Sequence, residues 1–423
     1  MMKGKQTITR RRFLKTAGVT AAAFTLSGFP TIIRGKEKII EFGAVEPLTG
    51  KGAKWGTVVV QGEELAVSEI NKAGGIKSLG GAKLAMSKHD TESKPETGIT
   101  AAERAIQKGI IAILGTAGSS VAMVVTQVAE KNKIPMVVVT PQDPKIMQRG
   151  FKYTFRVTAN AEVFVPSELA AIAAMVDEKT KKKVRTIAHM YEDSAYGQAE
   201  NVIYKRDASK FGLELILSQA YPGGTTDLTP YVNKIKSLNP DFVGLTGFFF
   251  DTCNFVRTIK EQNFNPMGYL IEGNSDEFLT EIKKDSNFAF TYLLWNEGIK
   301  IPGTEKKAME VNERFKKQFG MNMDGWAMLG YVSTYVLKDA LERAASTDPN
   351  KLRKALAETN LTGPKGNIMA TKGGRVQFDE IGENKNAIII FGQVLNGKRE
   401  VTWPPEYKTA EPVFPVPKWS ERP

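Results

Sequence analysis

The stretch from Ile110 to Asp143 reads IIAILGTAGSSVAMVVTQVAEKNKIPMVVVTPQD. Two continuous apolar runs, Ile110–Leu114 and Ile134–Val139, flank a segment of helical character, and each run ends in small polar residues. Buried parallel strands read as short unbroken runs of Ile, Val and Leu, and ligands of open α/β sheets sit beyond the carboxyl ends of such strands. Ser119, Ser120, Thr140 and Gln142 are therefore candidate ligand contacts.

The same rhythm extends to both sides of this stretch. Toward the N-terminus, Ile39–Val45 and Lys83–Ser87 read as strands, and Val58–Ile70 and Glu96–Lys108 as helices closed by Gly-containing stops. After Tyr153-Thr-Phe-Arg156 and a helix from Glu162, a second series follows. Its strands are predicted at 184–191, 213–219, 241–246, 267–271 and 290–294, with helices between them. Alternating strands and helices predict parallel sheets covered on both faces. Beyond residue 303 come consecutive helices at 305–319, 324–345 and 349–358, strands at 375–379 and 387–395, and a Pro-rich tail from Trp403. Proline cannot continue a helix or a central strand, so the tail is expected to lie extended on the surface.

At 423 residues the chain exceeds what one core usually holds, and two domains are expected. The formal net charge of +12 suggests a nucleic-acid partner only until its distribution is considered. The first 34 residues hold seven Lys or Arg and no acid; without them 51 basic residues face 46 acidic ones. No nucleic acid is expected as a partner. The lone Cys253 cannot form an intramolecular disulfide. Two histidines, His89 and His189, exclude a His-rich metal site, and GxSxG and a Cys/His pair are both missing. Gly50-Lys-Gly52-Ala-Lys-Trp55-Gly56 has the spacing GxGxxxG rather than GxGxxG, which makes it a ligand-facing or flexible loop. The turn GTAGSS lacks the Lys of a phosphate-binding loop. No catalytic residue, metal or cofactor is expected, although an exported dinucleotide enzyme using the Gly50–Gly56 loop is the alternative of that class.

Thr9-Arg10-Arg11-Arg12-Phe13-Leu14-Lys15, followed by TAGVTAAAFTLSGF, resembles a twin-arginine export signal: a basic segment, then a short, weakly apolar one. The apolar run falls short of the about 20 residues of a spanning helix. Residues 1–35 are assigned to this signal, which implies a periplasmic location.

The chain also resembles the periplasmic solute-binding proteins of the Leu/Ile/Val-binding type, the receptors of ABC importers. The resemblance rests on the order and spacing of GAVEPLTGKGAKW (Gly43–Trp55), Glu69-Ile-Asn71-Lys-Ala-Gly-Gly-Ile76, Asp90, Ile113-Leu-Gly115 with Ser119-Ser120, Ile134-Pro135, Tyr153-Thr-Phe155-Arg156, Tyr196-Gly197, Pro240-Asp241 and Glu272-Gly273. It implies the type I periplasmic-binding-protein fold, α/β with two Rossmann-like lobes, parallel sheets and a ligand cleft at a three-strand hinge. Applied to this sequence, lobe one is 36–157 plus 295–380 and lobe two 158–294 plus 381–423. The resemblance further implies that Ser119 and the start of the following helix hold a ligand carboxylate beside Thr140, that Glu272 meets the ligand ammonium, and that Trp55, Tyr196 and Phe248 close on its body. An amino acid with an apolar or aromatic side chain is the implied ligand, delivered by a monomeric receptor to a membrane permease and its ATPase. Alternatives are an amide or aromatic carboxylic acid as ligand, or a sensing subunit for a membrane signalling receptor.

Three further readings bear on the site. Ser119 and Ser120 can serve simply as helix caps. Trp326 and Tyr331, on an apolar helix, read as ordinary core. Asp143-Pro144 departs from the amino-acid pattern, because a carboxylate beside a ligand carboxylate repels it unless it turns away or meets a cation.

Overall fold

The computed structural model describes residues 38–296, 298–299 and 305–422; the twin-arginine segment lies outside them. The apolar runs of the N-terminal third form β1 (Ile39–Glu46), β2 (Lys83–Asp90), β3 (Ile113–Gly115), β4 (Met136–Val138) and β5 (Thr154–Arg156). Between them lie α1 (Ala53–Lys72), α2 (Pro95–Gln107) and α3 (Ser119–Lys131). The five strands make one parallel sheet in the order β2-β1-β3-β4-β5. Both faces are covered, so β3, β4 and β5 are buried at every residue.

The second series follows as α4 (Ala161–Ala173), β6 (Thr186–Glu192), α5 (Ala195–Asp207), β7 (Glu214–Tyr221), α6 (Thr229–Leu238), β8 (Phe242–Thr246), α7 (Phe249–Glu261), β9 (Gly268–Ile271), α8 (Asp276–Ile282) and β10 (Phe290–Leu293). Then come α9 (Glu305–Phe319), α10 (Gly325–Ala344), α11 (Pro349–Ala357), the short pair β11 (Asn360–Thr362) and β12 (Arg375–Gln377), and finally β13 (Ile390–Leu395) and β14 (Lys398–Trp403). The second sheet runs β14-β13-β10-β9-β8-β6-β7. Read from β7 to β10 it repeats the order of the first sheet. It is mixed rather than parallel, because β13 and β14 join it antiparallel. β13 runs against β10, and Asn396 and Gly397, both at positive φ (52° and 73°), make the two-residue turn that returns β14 beside β13 as a hairpin. β11 and β14 have no counterpart in the sequence reading.

α10 packs along α1, on the side of the first sheet. A Cβ on Gly62 would stand 1.9 Å from the Ala327 carbonyl oxygen, so only glycine permits this approach. That contact brings the start of α10, with Trp326, against the start of α1, with Trp55.

Where the chain leaves β5 for α4, Arg156 is fully buried with its Nε 3.5 Å from the Glu383 carboxylate. Asn160, which caps α4 through the Val163 N–H, also donates to Glu383 at 2.9 Å. Asn384 Nδ2 donates to the Val157 carbonyl at 2.9 Å. The first and last passages of the chain between the sheets are thus tied side by side. The C-terminal tail lies extended against the second sheet: the Val416 N–H donates to the Met267 carbonyl, and Trp419 stacks on Tyr269.

Candidate ligand cleft between the two sheets

In both sheets the strand order reverses beside the first strand, at β1/β3 and again at β6/β8, and crevices at such points are where α/β proteins bind ligands. Here the carboxyl ends of the two sheets face each other. The loops after β1, β3 and β4 meet those after β6, β8 and β9.

On the first side, the loop after β1 is held by Asp90, whose carboxylate accepts the Leu48 and Thr49 N–H groups and the Thr49 hydroxyl. Burial works against the charge, but these donors and the Glu92 N–H keep its carboxyl below the usual range. Gly56 lies over the Pro47 carbonyl, where a Cβ would come within 2.1 Å; the Gly50–Gly56 motif is a packing feature that aims Lys51, Lys54 and Trp55 at the cleft. The buried Glu46 carboxylate accepts the Ala117 N–H at 2.6 Å and sets the turn that opens α3. Gly118 takes the N-cap position, and neither Ser119 nor Ser120 caps the helix. Ser119 Oγ instead accepts the Asp143 N–H at 3.3 Å. Thr140 Oγ1 and Gln142 Oε1 are buried beside it without a hydrogen-bond partner. These three line one small cavity with Gly118, Pro141, Trp55, Tyr196 and Trp326.

Asp143 does not oppose an anion there. Its carboxylate turns back to cap its own turn through the Lys145 N–H at 2.9 Å, and its charge acts on Arg149 and Arg156. Arg156 also donates to the Asp143 carbonyl at 2.7 Å, which ties the ligand-facing loop to the chain passage at Glu383.

On the second side, Glu272 follows β9 and is 3% exposed, with neither carboxylate oxygen accepting a hydrogen bond. Burial holds its carboxyl well above the usual range; the Tyr292 hydroxyl and Trp326 indole oppose this, while Glu200 and Asp324 add to it. Asn274 Nδ2 and Trp326 Nε1 are likewise buried without partners. Glu272, Asn274, Ser275, Asp324 and Trp326 line a second small cavity with Lys54, Trp55 and Phe249. Behind it, Glu200 accepts from Thr246 at 2.5 Å and is pushed up to about 8 by burial, and Glu168, bonded by the Tyr204 hydroxyl, to about 7 for the same reason. His189 is structural: burial lowers it to about 3, and it stacks on Tyr204 at 3.9 Å.

The two cavities share Trp55 and Trp326 as lining. Trp55 stacks on Phe248 at 4.6 Å, meets Trp326 at 5.4 Å and Tyr196 edge-on at 6.1 Å. Each cavity offers the centre of a water-sized sphere about 10 Å³, enough for about one water molecule. At the rim, contacts span the cleft: Lys54 to Glu277 at 2.9 Å, Lys51 to Glu192 at 3.9 Å, and the Ala195 N–H to Ser120 Oγ at 3.4 Å.

The structure therefore gathers Trp55, Ser119, Thr140, Gln142, Tyr196 and Glu272 around the two cavities, with Phe248 stacked on Trp55. Ser120 stands apart, in a cavity at the cleft mouth with Lys51, Ser93 and Ser194. Of the aromatic run after Gly247, Phe248 and Phe249 are buried and Phe250 is 59% exposed. Trp326 corrects the sequence reading: it is a cleft residue, because the close approach of α10 to α1 carries it there. Tyr331 is core, its hydroxyl donating to Glu69 at 2.8 Å. Tyr292, Asn274 and Asp324 were missed; only Asn274, two residues beyond Glu272, carried a positional signal. Among the described residues no group of His, Cys, Asp or Glu is arranged to hold a metal ion, and no helix is long and apolar enough to cross a membrane.

A family model described as "Periplasmic binding protein" matches residues 39–379. The chain belongs to this family. Among curated relatives, this periplasmic binding protein is 27% identical over 377 residues to Leu/Ile/Val-binding protein homolog 7 of Brucella suis biovar 1 (strain 1330), covering 86% of this chain and 91% of the relative. Among solved structures it superposes on the branched-chain amino acid transporter substrate-binding protein LivJ of Streptococcus pneumoniae, in complex with isoleucine, at TM-score 0.73 and 17% identity, covering 90% of this chain and all of that one. A solute-binding protein of an ABC transporter from R. palustris, in complex with benzoate, matches at TM-score 0.72 and 18% identity over 90% of this chain and 97% of that one. Identities this low establish the fold, which is the type I periplasmic-binding-protein fold.

Proposed function

We propose that this protein is the solute receptor of an ABC importer and captures an amino acid with an apolar or aromatic side chain between its two lobes. The observation that carries the reading is the opposed polarity of the cleft ends. Ser119, Thr140 and the start of α3 offer hydroxyls and backbone N–H groups, which suit a carboxylate at a helix N-terminus. Glu272 offers a buried carboxyl to an ammonium. Trp55, Tyr196, Phe248 and Trp326 supply the apolar walls between them. Gln142 lines the carboxylate end, and Ser120 belongs to the rim that closes on the ligand.

The lobes of this reading are 36–157 plus 295–380 and 158–294 plus 381–423. They turn about passages near residues 157, 295 and 380, and the Arg156–Glu383 pair lies beside two of them. Ligand favours closure because only the closed form presents both ends at once. Residues 1–35 direct twin-arginine export to the periplasm, where the monomeric receptor delivers its ligand to the permease and ATPase of the importer. No chemistry is performed on the ligand.

A calorimetric panel tests this: free amino acids, their amides and aromatic carboxylic acids titrated into the mature chain. Binding of leucine-like or phenylalanine-like amino acids is expected. The flat Trp55–Phe248 stack favours a second reading, an aromatic carboxylate. Heat from benzoates with none from any amino acid would select that reading.

A further inference from the structure

Glu272 lines its cavity with both carboxylate oxygens buried and unpartnered. The ionisable groups that face it come from several elements. Glu200 and Tyr196 stand on α5, Tyr292 on β10, Asp324 at the start of α10, Glu277 on α8, Lys54 on α1 and Tyr221 on β7. Lys54 is the one cation of this set, and it is engaged by Glu277 at 2.9 Å. Arg399, behind Asp324, pairs with Asp276 at 2.8 Å. Glu200, Tyr196, Tyr221, Tyr292 and Asp324 are all buried, and Asp324 is itself pushed up to about 6 by burial. An isolated carboxylate in such surroundings is far less stable than its neutral acid, so the group holds a proton instead of a charge.

We propose that the cleft exchanges the Glu272 proton for the ammonium group of its ligand, so that capture of an amino acid releases one proton, whereas capture of a carboxylate without an amine releases none. The inference rests on the amino-acid reading above. In the exchange the Glu272 O–H bond breaks, its proton passes to water or buffer, and the ligand N–H groups donate to the freed oxygens. The count is the same if the remaining proton is shared within the pair, since a neutral amine beside a neutral acid holds as many protons as an ammonium beside a carboxylate. The sign follows by linkage: affinity for an amino acid strengthens about tenfold per pH unit as pH rises toward the Glu272 pKa, and levels off above it.

The test is calorimetry of the full mature chain with L-leucine, L-isoleucine and L-phenylalanine at about pH 6, in two buffers of different ionisation enthalpy, together with affinities from about pH 5 to 8. The expected result is an observed heat that differs between buffers by the ionisation heat of about one proton, and an affinity that weakens about tenfold per unit on acidification. Tight binding with equal heats in both buffers and a flat affinity profile overturns the proton exchange and leaves the amino-acid reading standing. No binding of any of the three, with benzoate bound, overturns both. Glu272→Gln should bind more weakly with no buffer-dependent heat; proton release that persists in that variant overturns the assignment to Glu272. Should the variant not fold, the wild-type buffer comparison still decides.

Discussion

The strand ends of the first sheet meet the cleft with hydroxyls, amides and the start of α3; those of the second meet it with Glu272, backed by Glu200. Both sets occupy the same places in the same strand order, and in both a glycine, Gly56 or Gly197, seats the following helix within about 2 Å of a strand-end carbonyl, had it a Cβ. The difference is electrostatic. On the first side Asp143 spends its carboxylate on its own turn and Glu46 has one oxygen under the turn at Ala117, while the Ser119 and Thr140 hydroxyls line the cleft. The second side leaves a carboxyl facing the cleft with no cation of its own. One architecture used twice therefore yields two complementary ends, and a ligand with separated charges of both signs fits them together.

The largest expected effects are on the second side. Glu272→Gln should weaken amino-acid binding by about 2 kcal/mol or more, since it removes one member of a desolvated charge pair. Calorimetry checks this, and an unchanged affinity would place the ammonium elsewhere. A pH effect on stability belongs to the same side. Glu200, at about 8, binds its proton more tightly folded than unfolded, where a carboxyl titrates at about 4.3. Below that unfolded value the group has no effect; as pH rises from there to about 8 the folded state loses stability, on the order of 5 kcal/mol for a group so shifted. Denaturant unfolding should show that fall, and Glu200→Gln should reduce it, leaving the part that Glu168 and Asp324 contribute. A wild-type profile that rises across this window would show the second side to be neutralised by other means.

On the first side, Ser119→Ala removes one hydroxyl among several donors and should weaken binding by about 1 kcal/mol. A loss as large as that of Glu272→Gln would erase the asymmetry between the two ends. The smallest effect belongs to the rim: Lys54 and Glu277 are partly exposed, so Lys54→Ala should change affinity by less than about 1 kcal/mol, and less still at high salt.

Most of the fold was legible because buried parallel strands leave unbroken apolar runs and their helices carry a 3.6-residue period. The runs overstate the strands: Ile110–Leu114 yields only Ile113–Gly115, since its first residues lead into the sheet. β14 was missed although Asn396-Gly397 announces its hairpin, because KREVTW has the charged, alternating look of an edge strand rather than a core one. In the cleft, Ser119 and Thr140 could be found from strand ends, whereas Tyr196, Phe248 and Glu272 came with the family resemblance. Trp326 and Tyr292 could not. Each sits in an apolar run that reads as core; only the packing of α10 on α1 brings Trp326 into the cavities, and only the pairing of β10 with β9 brings Tyr292 beside Glu272. Asp143 shows the converse. Its position looked hostile to an anion, and the answer lay in where a short side chain before proline turns.

The central claim is that both cleft ends are needed at once. The most direct measurement compares L-leucine with 4-methylpentanoate, which lacks the ammonium, and with 3-methylbutylamine, which lacks the carboxylate, by calorimetry on the same protein. The account predicts that leucine binds and that each analogue is weaker by roughly a hundredfold or more. Binding of 4-methylpentanoate as tight as that of leucine would contradict it.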